Sequence, residues 1–284
     1  MEFPVKVALA EAVPTLPVGS GWRYEIKLDG HRMILWRDAE SVRLQARSGR
    51  DVTPVWMDLA LAGMALPAGV VLDGEAVVTD DEGRISFAAA QSRAASTPAR
   101  ARQLAEAHPA AYIVWDVLAL GGDVRARPYD ERRTLLLDVL RDIGPPIQPV
   151  WATDDPKEAM LWYAALRERG VEGLVAKRSG SAYRAGRIWK KLRHSETTDA
   201  EVAGFTGSAA RPRALAVRLP DGRVAMSQAL TAPLAAQVSV HLVPVADSAR
   251  QARTATGDAY SAVHTDVVVE VLAGSLGRKC CATG

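Results

Sequence analysis

The stretch Glu25-Ile26-Lys27-Leu28-Asp29-Gly30-His31-Arg32 decides how this chain is read. With Trp22-Arg23-Tyr24 before it and Met33 to Arg37 after it, the segment predicts two β-strands joined at Asp29-Gly30, the dipeptide that most favours a tight hairpin. Alternate side chains of a strand share a face, so Glu25, Lys27 and Asp29 are expected to point the same way. An acid–lysine–acid stripe is commonly a solvated strand face. The same stripe also suits a lysine nucleophile, whose amine must lose its proton through burial or neighbouring positive charge. Gly30 would let a bulky ligand approach the backbone, and Arg32 could hold a phosphate.

Lysine is scarce elsewhere. Of 35 cationic residues among 284, only Lys6, Lys27, Lys157, Lys177, Lys190, Lys191 and Lys279 are lysine. Where arginine is the default cation, each lysine is a position to question, because the two groups do different chemistry. The 33 acids leave a net charge of +2, so any affinity for nucleic acid must come from local patches. One such patch runs from Lys177 to Ser195, with Lys177, Arg178, Arg184, Arg187, Lys190, Lys191 and Arg193 and no acid. Its bland reading is a solvated basic face. Hydrophobic residues at 48% and charged residues at 24% exclude wholesale disorder.

The two cysteines, Cys280 and Cys281, are adjacent, which excludes a disulfide framework and argues against structural zinc. The five histidines are scattered. No run approaches the ~20 apolar residues of a membrane span, and Met1 to Lys6 lacks a signal-peptide layout. A cytoplasmic protein without a membrane partner is expected.

Further along, Val70–Val78, Tyr112–Leu118, Val171–Lys177 and Ile188–Leu192 predict strands, and Pro54–Leu61, Asp130–Leu140 and Pro156–Glu168 predict helices. After His194 the texture changes to short strands at close spacing (Glu201–Phe205, Ala214–Leu219, Val224–Ser227) with one helix near Leu230–Val238. Two domains are therefore expected, 1–196 of mixed α and β, and 197–284 as a small barrel.

The segment Lys27-Leu28-Asp29-Gly30-His31-Arg32 resembles the K-x-D-G-x-R motif of the covalent nucleotidyltransferases: ATP-dependent DNA ligases, RNA ligases and mRNA capping enzymes. Further motifs follow in that family's order. They are Arg47-Ser48-Gly49-Arg50-Asp51, Leu72-Asp73-Gly74-Glu75, Tyr112-Ile113-Val114-Trp115-Asp116, Glu172-Gly173-Leu174-Val175-Ala176-Lys177 and Trp189-Lys190-Lys191-Leu192-Arg193. Tyr183-Arg184-Ala185-Gly186-Arg187 is most similar to DNA ligases, and the likeness covers about residues 20–205.

The resemblance implies an α+β fold: an ATP-grasp-like nucleotidyltransferase (adenylation) domain followed by an OB-fold barrel. It implies that Lys27 attacks the α-phosphorus of ATP, that the AMP passes to a 5′-phosphate at a DNA nick, and that a 3′-hydroxyl displaces it. Arg47 would support ribose and phosphates, Glu75 the ribose and metal region, Trp115 the adenine ring, and Lys191 and Arg193 the α-phosphate. Arg32, Glu25, Ile26 and Lys177 complete the implied nucleotide site. Glu75 and Glu172 would hold Mg²⁺ or Mn²⁺, a cation that carboxylates suit. Asp116 could instead brace its strand, Trp189 reads as packing, and His31 and His194 read as non-catalytic.

Arg193 stands where the family more often has lysine. The family's closing R-x-D-K motif is absent from Ala273 to Gly284, where Arg278-Lys279 is a poor substitute. The expectation is a barrel cut short at its C-terminus and slow self-adenylation. The expected partner is nicked duplex DNA, bound through the 177–193 cations with Arg93, Arg100 and Arg102, by a monomer working with repair or end-joining proteins. The alternatives are an RNA ligase, a capping-type enzyme, or a nick-binding protein impaired in self-adenylation.

Overall fold

The computed structural model describes residues 1–194, 197–242, 251–254, 256–263, 265 and 267–272. Its chain divides into two compact units, Met1–His194 and Ser195–Gly284.

In the first unit the strands are β1 (Ala8–Ala12), β2 (Trp22–Leu28), β3 (His31–Arg37), β4 (Val42–Ala46), β5 (Val70–Val78), β6 (Ala110–Leu120), β7 (Ile147–Pro149), β8 (Ala152–Thr153), β9 (Val171–Arg178) and β10 (Gly186–Arg193). The helices are α1 (Met57–Gly63), α2 (Phe87–Ala94), α3 (Pro98–Ala107), α4 (Tyr129–Leu140) and α5 (Pro156–Ala165). Two five-stranded sheets result, ordered β1-β10-β9-β2-β8 and β4-β3-β5-β6-β7.

Period-two alternation explains how the second sheet is buried on both faces. Met33 and Leu35 of β3 join a core with Trp56, Leu59 and Leu136, whereas Ile34 and Trp36 join another with Val5, Val7, Leu118 and Trp189. The latter group draws on β10 as well as β3 and β6, and so joins the two sheets.

The expected hairpin at Asp29-Gly30 does not form. β2 pairs with β9 (Lys27 opposite Gly173) and with β8, whereas β3 pairs with β4 and with β5 (Arg32 opposite Glu75). The dipeptide carries the chain from one sheet to the other, because each strand finds partners in its own sheet. Gly30 is absent from the positive-φ glycines, so turn conformation does not select it. Space does: a Cβ there would lie 2.3 Å from the Ala76 carbonyl oxygen. Gly30→Ala is expected to destabilise the first unit by about 1–3 kcal/mol, the usual cost of overpacking, read as a lower urea midpoint.

The helix expected at Pro54–Leu61 is split into a 3₁₀ turn, Thr53–Val55, and α1, because Trp56 adopts a non-helical conformation. Helices α2 and α3 lie outside the elements the sequence predicts, because their Ala- and Arg-rich segments offer few large apolar side chains to mark a buried face. Their start signals were present, however. Ser86 accepts from Ala89 N–H, and Thr97 accepts from Arg100 N–H ahead of Pro98.

The second unit comprises β11 (Thr197–Ser208), β12 (Arg211–Arg218), β13 (Val224–Met226), α6 (Ala232–Ser239), β14 (Gln251–Arg253), β15 (Ala259–Ala262) and β16 (Val268–Leu272). The long β11 pairs with β12 along one edge and divides the other between β16 and β15, giving a curved, half-barrel sheet. Val202, Phe205, Leu215, Val217, Val238 and Leu242 form its core. The segment 273–284, where the barrel was expected to be cut short, lies outside the described residues, as do Ser195 and His264.

Candidate functional site

Three adjacent strands, β10, β9 and β2, meet the ends of β3 and β5 around a cavity of about 740 Å³. Glu25, Ile26, Lys27, Arg32, Arg47, Glu75, Trp115, Lys177, Lys191 and Arg193 all line it. Glu172 is outside the lining but touches it through Lys27. The basic stretch is not a uniform solvated face. On β10 the alternate residues Arg187, Trp189, Lys191 and Arg193 face the cavity, while Lys190 pairs with Glu11 at 2.6 Å.

The Lys27 ammonium donates to the Glu172 carboxylate and to the Leu28 carbonyl oxygen at 3.3 Å. The other Glu172 oxygen lies 2.6 Å from Arg193 Nε. Gly173, opposite Lys27 in the ladder, makes this close meeting of strands possible. Its φ is 152°, and a Cβ would lie 2.0 Å from the Leu192 carbonyl oxygen. Burial, followed by Arg193 and Lys27, pushes the Lys191 amine down.

Arg32 is held more firmly than a free phosphate clamp. Its Nε and Nη2 donate to the two oxygens of buried Asp73 at 3.0 and 2.6 Å, and Nη1 donates to the Ala8 carbonyl oxygen at 2.6 Å. It lies over the Trp115 ring, 5.2 Å from its centroid. Lys177 is buried and its Nζ lies 2.8 Å from Glu25, with Trp189 under it at 4.3 Å. Burial pushes the Lys177 amine down against the opposing pull of Glu25 and Asp116. Asp116 is the brace the sequence allowed for: it is wholly buried and meets Arg132 through two bonds, at 2.7 and 3.0 Å.

Glu75 accepts from Gly30 N–H at 3.2 Å. Burial pushes its carboxyl up to about 8, against the pull of Lys27, Arg32 and the Gly30 N–H. A half-buried carboxyl whose charge is under-compensated suits a divalent cation, which needs one or two carboxylates and completes its shell with water and phosphate. Glu75 fits that role. Glu172, with both oxygens engaged by Lys27 and Arg193, does not offer itself in this arrangement, and no group of three His, Cys, Asp or Glu side chains suited to a metal occurs among the described residues.

A carboxyl raised in the folded state stabilises most fully below its unfolded value of 4.5, and this contribution falls as pH rises towards about 8. The stability of wild type relative to Glu75→Gln is therefore expected to decline between pH 5 and pH 8, by at most about 1.4 kcal/mol per pH unit, measured by urea unfolding.

Asp29, His31, Arg50, Phe87 and Arg187 also line the cavity. Sequence reading gave none of them a role at the site, although Asp29 and His31 lie inside the opening motif. His31 stacks on Trp56, ring centroids 5.8 Å apart, and burial followed by Arg50 pushes its imidazole down. Exposed Phe87 had no signal beyond its place after the Ser86 cap. Arg93, expected on a DNA-contacting surface, is buried instead: it is paired with Asp58 and lies 4.4 Å above the Trp56 ring. Arg100 and Arg102 are exposed.

The nucleotide-sized cavity, lined by cations around one engaged lysine, defines a site for a phosphorylated ligand. Residues 6–193 match the family described as ATP dependent DNA ligase domain. This chain belongs to the ATP-dependent DNA ligase family. It is 38% identical over 205 residues to DNA ligase C2 of Mycolicibacterium smegmatis, covering 71% of this chain and 57% of that protein. It is 36% identical over 209 residues to DNA ligase C of Mycobacterium tuberculosis, covering 71% and 58%. The chain thus spans somewhat more than half the length of these relatives. Among solved structures, a mycobacterial DNA ligase D complexed with ATP and MES superposes with a TM-score of 0.59 and 27% identity, over 96% of this chain and 90% of that one. The fold is the mixed α/β nucleotidyltransferase type of those ligases. Among the described residues, no helix is long and apolar enough to cross a membrane.

Proposed function

We propose that this chain seals 3′-hydroxyl/5′-phosphate nicks in DNA at the expense of ATP, through a lysyl-AMP intermediate on Lys27. The observation that carries the reading is the Lys27 ammonium in the cavity wall, engaged by Glu172 and flanked by Lys191, Arg193 and Arg32.

The Lys27 amine, once its proton has passed to the adjacent Glu172 carboxylate, attacks the α-phosphorus; the bond to pyrophosphate breaks as the N–P bond forms. Lys191 and Arg193 hold the transferring phosphate electrostatically, and Arg47 supports ribose and phosphates. Trp115 offers a ring face to adenine, while Glu25, Ile26 and Lys177 form the wall beside it. Mg²⁺ or Mn²⁺ would neutralise phosphate charge, with Glu75 as the first carboxylate. Glu172 would be a second carboxylate for it only in the state in which it does not hold the Lys27 proton and Lys27 and Arg193 have turned to the phosphates. The AMP then moves to the 5′-phosphate of the nick, and the 3′-hydroxyl displaces it.

We read 1–196 as the adenylation domain and 197–284 as an OB-fold domain that contacts the duplex. A monomer is expected, in repair or end joining. The relatives named DNA ligase C support the ligase reading. A LigD of Mycobacterium bovis, described as a multifunctional non-homologous end joining protein and 35% identical over 190 residues, supports the end-joining setting.

Incubation with α-labelled ATP and Mg²⁺ is expected to label the protein, and a nicked duplex is expected to be sealed. Sealing of nicked RNA but not nicked DNA would replace this reading with an RNA ligase. Nick binding without labelling would replace it with a binding protein. Duplex affinity is expected to fall steeply with salt, since exposed cations rather than base contacts supply it.

A further inference from the structure

We propose that Tyr183 is a positioning residue for this site, fixing the cavity-lining Arg32 through Asp73; the inference rests on the reading of Lys27 as the adenylated lysine. Tyr183 lies between β9 and β10, anchored by its own backbone N–H to the Arg125 carbonyl oxygen at 2.8 Å. Its side chain is buried, yet its hydroxyl has three polar partners. It donates to Asp73 Oδ2 at 2.7 Å, accepts the Ala8 N–H at 3.1 Å, and accepts from Arg32 Nη2 at 3.4 Å.

The three partners close on one another. Asp73 already receives two bonds from Arg32, and Arg32 Nη1 reaches the carbonyl of the same Ala8 whose N–H the tyrosine takes. Ala8 belongs to the first sheet, Arg32 and Asp73 to the second, so one hydroxyl pins the guanidinium across the join between sheets. Four of the five Arg32 N–H groups are thereby used, leaving one Nη1 hydrogen for a ligand. The direction of that last donor is set by the plane of the Asp73 carboxylate, and the tyrosine hydroxyl holds that plane. Burial pushes the Tyr183 phenol up, so it remains a donor at any working pH. The ring, edge-on to cavity-lining Trp189 at 5.9 Å, would keep its apolar contacts in a phenylalanine. Packing alone therefore does not need the hydroxyl.

The test measures lysyl-AMP formation against ATP concentration in wild type, Tyr183→Phe, Arg32→Lys and the double variant. Tyr183→Phe is expected to raise the ATP concentration for half-maximal labelling about tenfold, the effect of losing one hydrogen bond to a charged group, with the maximal rate within about twofold. In the Arg32→Lys background the same change is expected to add nothing, because the group it positions has gone. Asp73→Asn, measured alongside, is expected to show the same shift in ATP dependence. An unchanged ATP dependence in Tyr183→Phe, or an equal shift in both backgrounds, would overturn the positioning role while leaving Lys27 as the labelled residue. A wild type that gains no label would remove the ligase reading and this inference together.

Discussion

Lys27→Ala is expected to abolish labelling by α-labelled ATP and, with it, joining of a nicked duplex. The loss should reach about 10⁴-fold or more, the scale seen when a covalent nucleophile is removed. Nick affinity should stay within about threefold of wild type, because Lys27 is one cation among many and its charge is already matched by Glu172. Sealing of a nick that already carries AMP is expected to survive better than the overall reaction, since that step needs the phosphate-facing cations and not the nucleophile. Gel assays with the three substrates separate these outcomes. Joining that persists from unadenylated DNA would mean that Lys27 is not the nucleophile. Arginine there should fail as completely as alanine: a guanidinium keeps the charge but does not lose its proton to become a nucleophile.

The second large effect concerns stability. Asp116→Ala is expected to cost about 3–5 kcal/mol, because it leaves Arg132 charged, wholly buried and stripped of its carboxylate partner. Remaining bonds from Arg132 to the Arg127 and Ser181 carbonyl oxygens satisfy donors but not charge. For a unit of this size each kcal/mol lowers the melting temperature by about 2–4 °C, so a fall of about 6–20 °C is expected by calorimetry. A double substitution to apolar residues of matching volume, Asp116→Leu with Arg132→Met, should recover much of the loss, since it removes both charges from the interior. A melting temperature unchanged in Asp116→Ala would mean that the pair contributes nothing. The change should also disturb the site, because Trp115 precedes Asp116 on β6 and its carbonyl oxygen holds Lys177 at 3.2 Å.

Much of the site was legible because its residues sit in short motifs with fixed chemistry. The ten nucleotide-site residues, from Glu25 to Arg193, come from separate motifs, and they line one cavity: strand alternation puts Glu25 with Lys27 and Lys191 with Arg193, and the meeting of the two sheets brings in the rest. The scarcity of lysine pointed the same way: Lys27, Lys177 and Lys191 all line the cavity and Lys190 is the outward alternate. Less legible was what each cation does when the site is folded. Arg93 looks like a surface cation in sequence, yet burial and its Asp58 partner make it an internal support, and Lys177, expected in the nucleotide site, is buried there against Glu25. Helices α2 and α3 escape sequence reading because Ala and Arg supply few large side chains to mark a buried face, and only the Ser86 and Thr97 caps signal their starts.

By itself, the sequence determined the order of motifs, the candidate nucleophile and the division of texture near residue 195, because these depend on residue type and local periodicity. Tertiary structure decided that Asp29-Gly30 crosses between sheets instead of turning a hairpin. A two-residue signal cannot report which strands offer better partners, and the ladders of β2 with β9 and of β3 with β5 are formed with segments distant in sequence, Arg37 with Val70 at the nearest. It also decided that Glu172 meets Lys27, that Asp73 and Tyr183 hold Arg32, and that desolvation pushes the Glu75 carboxyl up. Each of these depends on distance and desolvation between groups that the chain brings together only when both sheets have closed on their cores.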